Sequence, residues 1–412
     1  MTDERPRPGP STRAIRAASR VPQVHQAPTS VPIYQTATFA SADADELAAV
    51  LAGELPGYAY SRMDNPTVTV LGDAIAELHG AEAGIALATG MAAIHASFLS
   101  ILRAGDRVLI GHVGYGTTRT QAISAFGRLG VDIGYVDTTD LDAVETALRQ
   151  RPTRVLHVET IANPTCVVAD LPALAEVAHR FGALLTVDNT FASPAVCRPL
   201  EHGADLVMES ATKYLSGHSD VMAGAVVGAR ERIAAVRSAQ VDTGATLGPF
   251  AAFLVLRGIP TLAVRMERQA RTAMALADLL ERREGVNRVI YPGLDSHPQR
   301  DAARRILDMG GAMLSVDLAG GREAGRVFFD TLEIPERTAS LGSVHTMVVH
   351  PPSSSHRAFD AASLASAGIT EGLLRVSVGL EDEADLLADF AAALEAARAT
   401  APTVATRASG AR

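Results

Sequence analysis

Between residues 84 and 228 the chain alternates short, nearly uninterrupted apolar runs with longer stretches in which apolar side chains return every three or four positions. The runs are "GIALAT" (84–89), "DRVLIG" (106–111), "RVLHVE" (154–159), "ALLTVD" (183–188), "DLVMES" (205–210) and "AGAVVG" (223–228). Runs of this length without polar alternation predict strands buried on both faces. The segments between them predict amphipathic helices. In "DLPALAEVAHRFG", for example, Asp170 supplies an N-cap and Gly182 a stop. Strands and helices in alternation imply an α/β fold, a mostly parallel sheet covered on both faces.

The flanks read differently. Residues 1–20 hold Pro, Gly and five Arg, the pattern of a flexible tail. A Pro-punctuated arm with "VPIYQTATF" and one short helix near "DADELAAVLAG" follows, to residue 61. Past 260 a long Arg-rich helix, "PTLAVRMERQARTAMALADLLERR", leads into a smaller α+β unit. That unit carries "AMLSVDL", "LLRVSVG" and a closing helix, "DEADLLADFAAALEAARA". The expected division is an arm over 1–61, a large domain over 62–260, a small C-terminal domain over 261–400 and a disordered tail over 401–412.

With 412 residues the chain can build more than one core. A net charge of -9 and the absence of tryptophan argue against a general nucleic-acid binder. The first twenty residues lack an apolar leader, and no segment nears the roughly 18 apolar residues of a membrane span, so a cytoplasmic protein is expected. Cys166 and Cys197 cannot form a disulfide framework and read as small buried hydrophobes of a reducing compartment. His345, His350 and His356 have no compact ligand spacing, so no metal is expected.

One composition detail bears on chemistry. Of 37 Lys and Arg residues, 36 are Arg, and Lys213 is the only lysine. Arg replaces Lys wherever only a charge is needed, but it cannot supply a deprotonatable amine. A retained lysine therefore points to amine chemistry, with survival by chance as the alternative. Ser210 and Thr212 flank Lys213 with hydroxyls. Gly90 and Met91 open a helix after the strand "GIALA", where backbone amides make an anion site. Asp188 ends the strand "LLTVD", at the edge where open α/β sheets bind ligands. Taken singly, each has a bland explanation as a turn or cap. Together they fit pyridoxal phosphate: its phosphate in the hydroxyl–amide cup, its ring nitrogen on Asp188, its aldehyde on Lys213.

The stretch "VDNTFASPAVCRPLEHGADLVMESATKYLSGHSDVMAGAVV" resembles the core signature of the Cys/Met-metabolism family of pyridoxal-phosphate enzymes. Further matching stretches follow the family's order, among them "YAYSRMDNPT", "TGMAAI", "YGTT", "LRGIPTLAVRME", "YPGLDSHPQ", "SLGS" and "LLRVSVGLED". The resemblance spans roughly residues 20 to 400. It implies a fold-type I architecture and a homotetramer built from two catalytic dimers. Lys213 would anchor the cofactor and Asp188 would meet its ring nitrogen. Gly90, Met91, Ser210 and Thr212 would hold the phosphate, joined by Tyr60 and Arg62 of a neighbouring subunit. Tyr115 would stack on the ring and move protons, and Asn163 would lie near the ring hydroxyl. Arg375, with Ser340 nearby, would grip the substrate carboxylate.

The family's specificity positions depart from its usual pattern. Thr117 stands where methionine γ-lyases typically have Cys, and Gln240 and Val241 where they have a Lys-Asp pair. Ala339 replaces the acidic residue that cystathionine lyases often carry, and Ile161 and His345 are also unusual. The resemblance implies a lyase acting by γ-elimination on a sulfur-containing amino acid of the methionine, homocysteine and cystathionine class, releasing thiol, ammonia and a 2-oxo acid. The departures, Ala339 above all, point to a substrate without a distal ammonium or to a specialised amino acid. The alternatives are a γ-replacement enzyme joining an activated homoserine to a nucleophile, and a catalytically silent scaffold, which the intact Lys213 and Asp188 oppose.

Overall fold

The computed structural model describes residues 28–354, 357, 364 and 368–399. The predicted tails at 1–20 and 401–412, and His356, lie outside the described residues. The chain divides into a short unit, Met1–Pro32, and a large one, Ile33–Arg412, which holds everything below.

Seven strands form the first sheet: β1 (Ala83–Leu87), β2 (Arg107–Gly111), β3 (Asp132–Val136), β4 (Val155–Glu159), β5 (Leu184–Asp188), β6 (Leu206–Glu209) and β7 (Gly224–Gly228). Their order is β1-β7-β6-β5-β4-β2-β3. The pairs among β3, β2, β4, β5 and β6 are parallel, and β7 runs antiparallel to both β6 and β1. Six of these strands fall on the six apolar runs. β3 has no such run. It is an edge strand paired only with β2 and is half-buried along most of its length, so "DIGYV" needs no continuous apolar face.

The second sheet holds β8 (Val286–Ile290), β9 (Met313–Leu318), β10 (Glu336–Arg337), β11 (Met347–Val349) and β12 (Leu373–Ser377), in the order β10-β11-β12-β9-β8. Its pairs are antiparallel except β10 with β11. A helical run joins the two sheets: Pro249–Gly258, a 3-10 turn at Ile259–Thr261, then Leu262–Glu281. Pro260 explains the interruption, since it cannot donate to the preceding turn. Ala252, Val255, Leu262 and Met266 enter the core around the first sheet, whereas Ala273, Leu276, Ala277 and Leu280 enter that of the second.

The parallel strands β4, β5 and β6 end together, and their ends set the site. Glu159 and Asp188 are register partners. The residues that follow them, Thr160 and Asn189, belong to a buried hydrogen-bonded chain with Glu209 and His79. Thr160 Oγ1 donates to Asn189 Oδ1 (2.6 Å), Asn189 Nδ2 donates to Glu209 Oε1 (3.0 Å), and His79 Nε2 lies 3.1 Å from the same oxygen. One residue of each of β4 and β5 is thereby offered to the cavity, and its neighbour is locked.

Candidate active site

A cavity of about 740 Å³ opens at these strand ends. Its lining includes Gly90, Met91, Tyr115, Asn163, Asp188, Ser210, Thr212, Lys213 and Arg375. Residues scattered over almost three hundred positions are thus brought together as expected. Ser340 joins them through its hydroxyl, which accepts a hydrogen bond from Lys213 Nζ (2.9 Å). Tyr60 and Arg62 do not line the cavity of their own chain. Arg62 Nη1 donates to the Val241 carbonyl (2.9 Å), and its guanidinium lies 5.7 Å from the Tyr60 ring.

The helix Gly90–Ile101 presents its first amides to the cavity. Thr89 caps it, accepting from Ala92 N at 3.0 Å. Gly90 is required by proximity: a Cβ there would lie 2.8 Å from that of Ser210, so only a glycine lets the amide end and the Ser210 loop close into one cup. Removing the cap with Thr89→Ala should cost about 1 kcal/mol of stability, read in a thermal melt, and weaken cofactor retention in dialysis.

Lys213 sits four residues past the end of β6. Burial pulls its ammonium down to about 8, and the Arg375 charge pushes the same way. Asp188 Oδ1 accepts from the Thr190 amide (3.0 Å), and Thr190 Oγ1 accepts from Ser210 N (2.8 Å), linking the Asp188 carboxyl to the Ser210 loop. Burial raises the Asp188 carboxyl to about 6 against the Thr190 hydrogen bonds, and the Glu209 charge adds to the rise. Arg375 is nearly enclosed. Nη1 donates to Asn163 Oδ1 (2.9 Å), and Nη2 donates to the Ser340 and Ala339 carbonyls (2.8 and 3.2 Å). Its Nε is buried without a partner. Burial lowers this guanidinium to about 10, which leaves it cationic at neutral pH.

Sequence reasoning missed Glu159, which lines the cavity beside Asp188. Its signal was available: "RVLHVE" ends on a carboxylate as "ALLTVD" does. Thr117, Ile161 and Ala339 also line the cavity, with Phe191, Met222, Leu341, Val349 and Pro351. Gln240 and Val241 do not, and Gln240 is buried on Thr246 Oγ1 (2.9 Å). His345 lies 3.4 Å from Ser343 Oγ outside the lining, and His350 is held by Ser353 and the Glu371 carbonyl. Among the described residues no three His, Cys, Asp or Glu side chains converge as a metal site.

The cavity suits pyridoxal phosphate. Asp188 is a buried carboxyl without a cationic partner, as a pyridinium would require, and the Gly90–Ser210 cup closes where a phosphate needs amides. Fold and site together define a pyridoxal-phosphate enzyme with a mostly parallel large sheet and a second, smaller one. The chain belongs to the Cys/Met metabolism PLP-dependent enzyme family, whose model matches residues 11–395. It is 44% identical over 391 residues to L-methionine gamma-lyase of Pseudomonas putida, covering 94% of this chain and 98% of that protein. It is 42% identical to O-succinylhomoserine sulfhydrylase of Pseudomonas aeruginosa, covering 93% and 95%. The solved cystathionine gamma synthase of Xanthomonas oryzae pv. oryzae, in complex with aminoacrylate and cysteine, superposes with a TM-score of 0.85 at 38% identity, covering 90% and 94%.

Proposed function

We propose that the protein is a carbon–sulfur lyase acting at Cγ of a sulfur-containing amino acid, releasing a thiol, ammonia and a 2-oxo acid. The observation that carries this reading is the charge inventory of the cavity. Among the described residues its ionisable lining side chains are Tyr115, Glu159, Asp188, Lys213 and Arg375; cofactor and α-carboxylate account for four, and Glu159 is taken up by the Tyr115 and Asn163 amides. The remaining wall, with Met222, Ala339, Leu341, Val349 and Pro351, offers no carboxylate. A thioether gains about 0.8 kcal/mol per buried CH₂ on such a surface. A second ammonium would be desolvated there without a partner. Methionine and homocysteine fit better than cystathionine.

Bound pyridoxal phosphate supplies the electron sink that makes the substrate's Cα and Cβ protons removable. Arg375 holds the carboxylate, its guanidinium fixed by Asn163 and the Ser340 carbonyl. Lys213 Nζ, deprotonated with modest effort because burial lowers its pKa, takes the Cα proton and then serves at Cβ. Ser340 Oγ orients that amine. The Tyr115 hydroxyl, on the cavity wall, would protonate the departing sulfur. Methionine plus water thereby balances to methanethiol, ammonia and the 2-oxo acid.

The same reading assigns 62–260 to cofactor binding and 261–400 to a small domain, with the arm engaging a neighbour in a tetramer of two catalytic dimers. Two features support it. Helix Ala44–Ala52 buries none of its residues, and Ile33, Tyr34, Leu47 and Leu51 are 38–50% exposed. Tyr60 and Arg62, which do not line their own chain's cavity, would complete a partner's phosphate cup.

A γ-replacement reading draws support from the 42% identity to a sulfhydrylase, nearly that to the lyase. Incubating the holoenzyme with methionine, homocysteine, cystathionine and O-acetylhomoserine, with and without a thiol, separates the two by product mass. Lysis predicts 2-oxo acid from methionine with no added nucleophile. A product formed solely from O-acetylhomoserine and thiol would establish replacement instead.

A further inference from the structure

We infer that Glu159 is the second acid of this site: a positioning residue that ties the Tyr115 turn to the Arg375 grip and holds a proton beside Asp188. The inference rests on the cavity being a pyridoxal-phosphate site.

Glu159 spans two pieces of machinery. Its Oε1 accepts from the Tyr115 amide (2.5 Å), and its Oε2 accepts from the Asn163 amide (2.8 Å). Asn163 Oδ1 in turn accepts from Arg375 Nη1 (2.9 Å). One carboxyl therefore fixes the backbone beneath the stacking ring and, through a single amide side chain, the guanidinium meant for the substrate. The seat is built for it. A Cβ on Gly114 would fall 2.9 Å from Oε1 and 3.2 Å from the Glu159 carboxyl carbon, so the turn closes on this carboxyl only with glycine there.

The second half of the inference concerns charge. Glu159 and Asp188 end neighbouring strands as register partners, and among the described residues Glu159 has no ion-pair partner. The other ionisable groups around it are Tyr115 and Arg119 from the segment after β2, His157 on its own strand, Glu209 on β6, and Lys213 and Arg375 across the cavity. Two buried carboxyls sharing one site cannot both ionise cheaply. Burial, reinforced by Asp188, raises Glu159 to about 8 against the hydrogen bonds from the Tyr115 and Asn163 amides, which favour the ionised form. Asp188, at about 6, is the one that ionises first and meets the ring nitrogen. The pair therefore gives up its first proton at Asp188 and holds the second on Glu159.

The sign of the linkage follows. A carboxyl whose folded pKa lies above its unfolded value of 4.5 binds more protons in the fold. Its contribution to stability therefore falls as pH rises from about 4.5 to about 8, and is flat above. Glu159→Gln has nearly the same shape, cannot ionise, and turns an NH₂ toward one of the two backbone amides.

Two measurements test the inference. The first is thermal unfolding of the cofactor-free full chain across this pH range. The melting temperature of E159Q relative to wild type should climb by a few degrees between pH 5 and 8 and then level off. A difference that does not change with pH would overturn the proton assignment. The second is steady-state kinetics of the holoenzyme. E159Q and Glu159→Asp, which shortens the reach but keeps the acid, should both raise KM about tenfold, the loss of one net hydrogen bond to a charged network. Of the two, E159D alone should retain the wild-type pH profile of stability. An unchanged KM in both variants would overturn the tie to Arg375. If the cavity does not bind pyridoxal phosphate at all, visible absorbance on reconstitution will be missing in wild type as well. That failure is separate from either result above.

Discussion

Lys213→Arg keeps the positive charge and removes turnover. kcat should fall by about 10⁴-fold, the upper end of what a positioned proton-transfer group contributes. A guanidinium can neither form the covalent link to the cofactor nor give up a proton near neutral pH. Because Lys213 is the only lysine, borohydride reduction of the loaded wild type should leave the cofactor on one tryptic peptide and on no other side-chain amine. Turnover within tenfold of wild type in the variant would remove Lys213 from the centre of the site. The lowered pKa adds a pH test. Formation of the covalent link needs the neutral amine, so the rate of reconstituting the cofactor-free protein should rise with pH and level off above about 8.

The second large effect is expected for Asp188→Asn. The Asn oxygen can still accept from Thr190 N, so the link onward to Ser210 survives and the melting temperature should stay near or above wild type. What disappears is the negative charge that would face the ring nitrogen of the bound cofactor. Loss of one preorganised electrostatic partner typically costs about 10²–10³-fold in kcat. A circular-dichroism spectrum matching wild type, together with that loss, assigns the effect to charge. A fall of only a few-fold would mean that the ring nitrogen is served by another group.

Much of this arrangement was legible in the sequence, for identifiable reasons. β2 and β4 to β7 were readable because strands buried on both faces must be apolar throughout, and β1, an edge strand, because its run is apolar all the same. Helix Ala44–Ala52, with Asp43 capping and Gly53 left-handed at φ 74°, was readable from local chemistry alone. β3 and β8 were not: both are sheet-edge strands, and β8 carries Asn287 and Arg288 on exposed positions. β10, two exposed residues long, has no pattern to detect. At the site, Lys213 announced itself by its rarity and Asp188 by its strand end. Glu159 had the same placement, but its importance depends on register with Asp188 and on a glycine forty-five positions away, neither of which is local. The departures at Gln240 and Val241 had looked like part of the specificity pocket. Gln240 instead holds Thr246 and the Arg62 carbonyl, and so bears on the arm rather than on the cavity wall of its own chain.

The helical run Pro249–Glu281 has a consequence for how the molecule comes apart. It lends one end to the hydrophobic interior around the first sheet and the other to that of the second. Neither interior can melt without stripping contacts from the helix that completes the other. A cut near residue 260 would therefore not release two autonomous folding units: it would leave Leu262 and Met266 missing from one and a helix without its full footing in the other. Along the sequence the enzyme reads as two modules, but the shared helix ties the loss of one interior to the loss of the other.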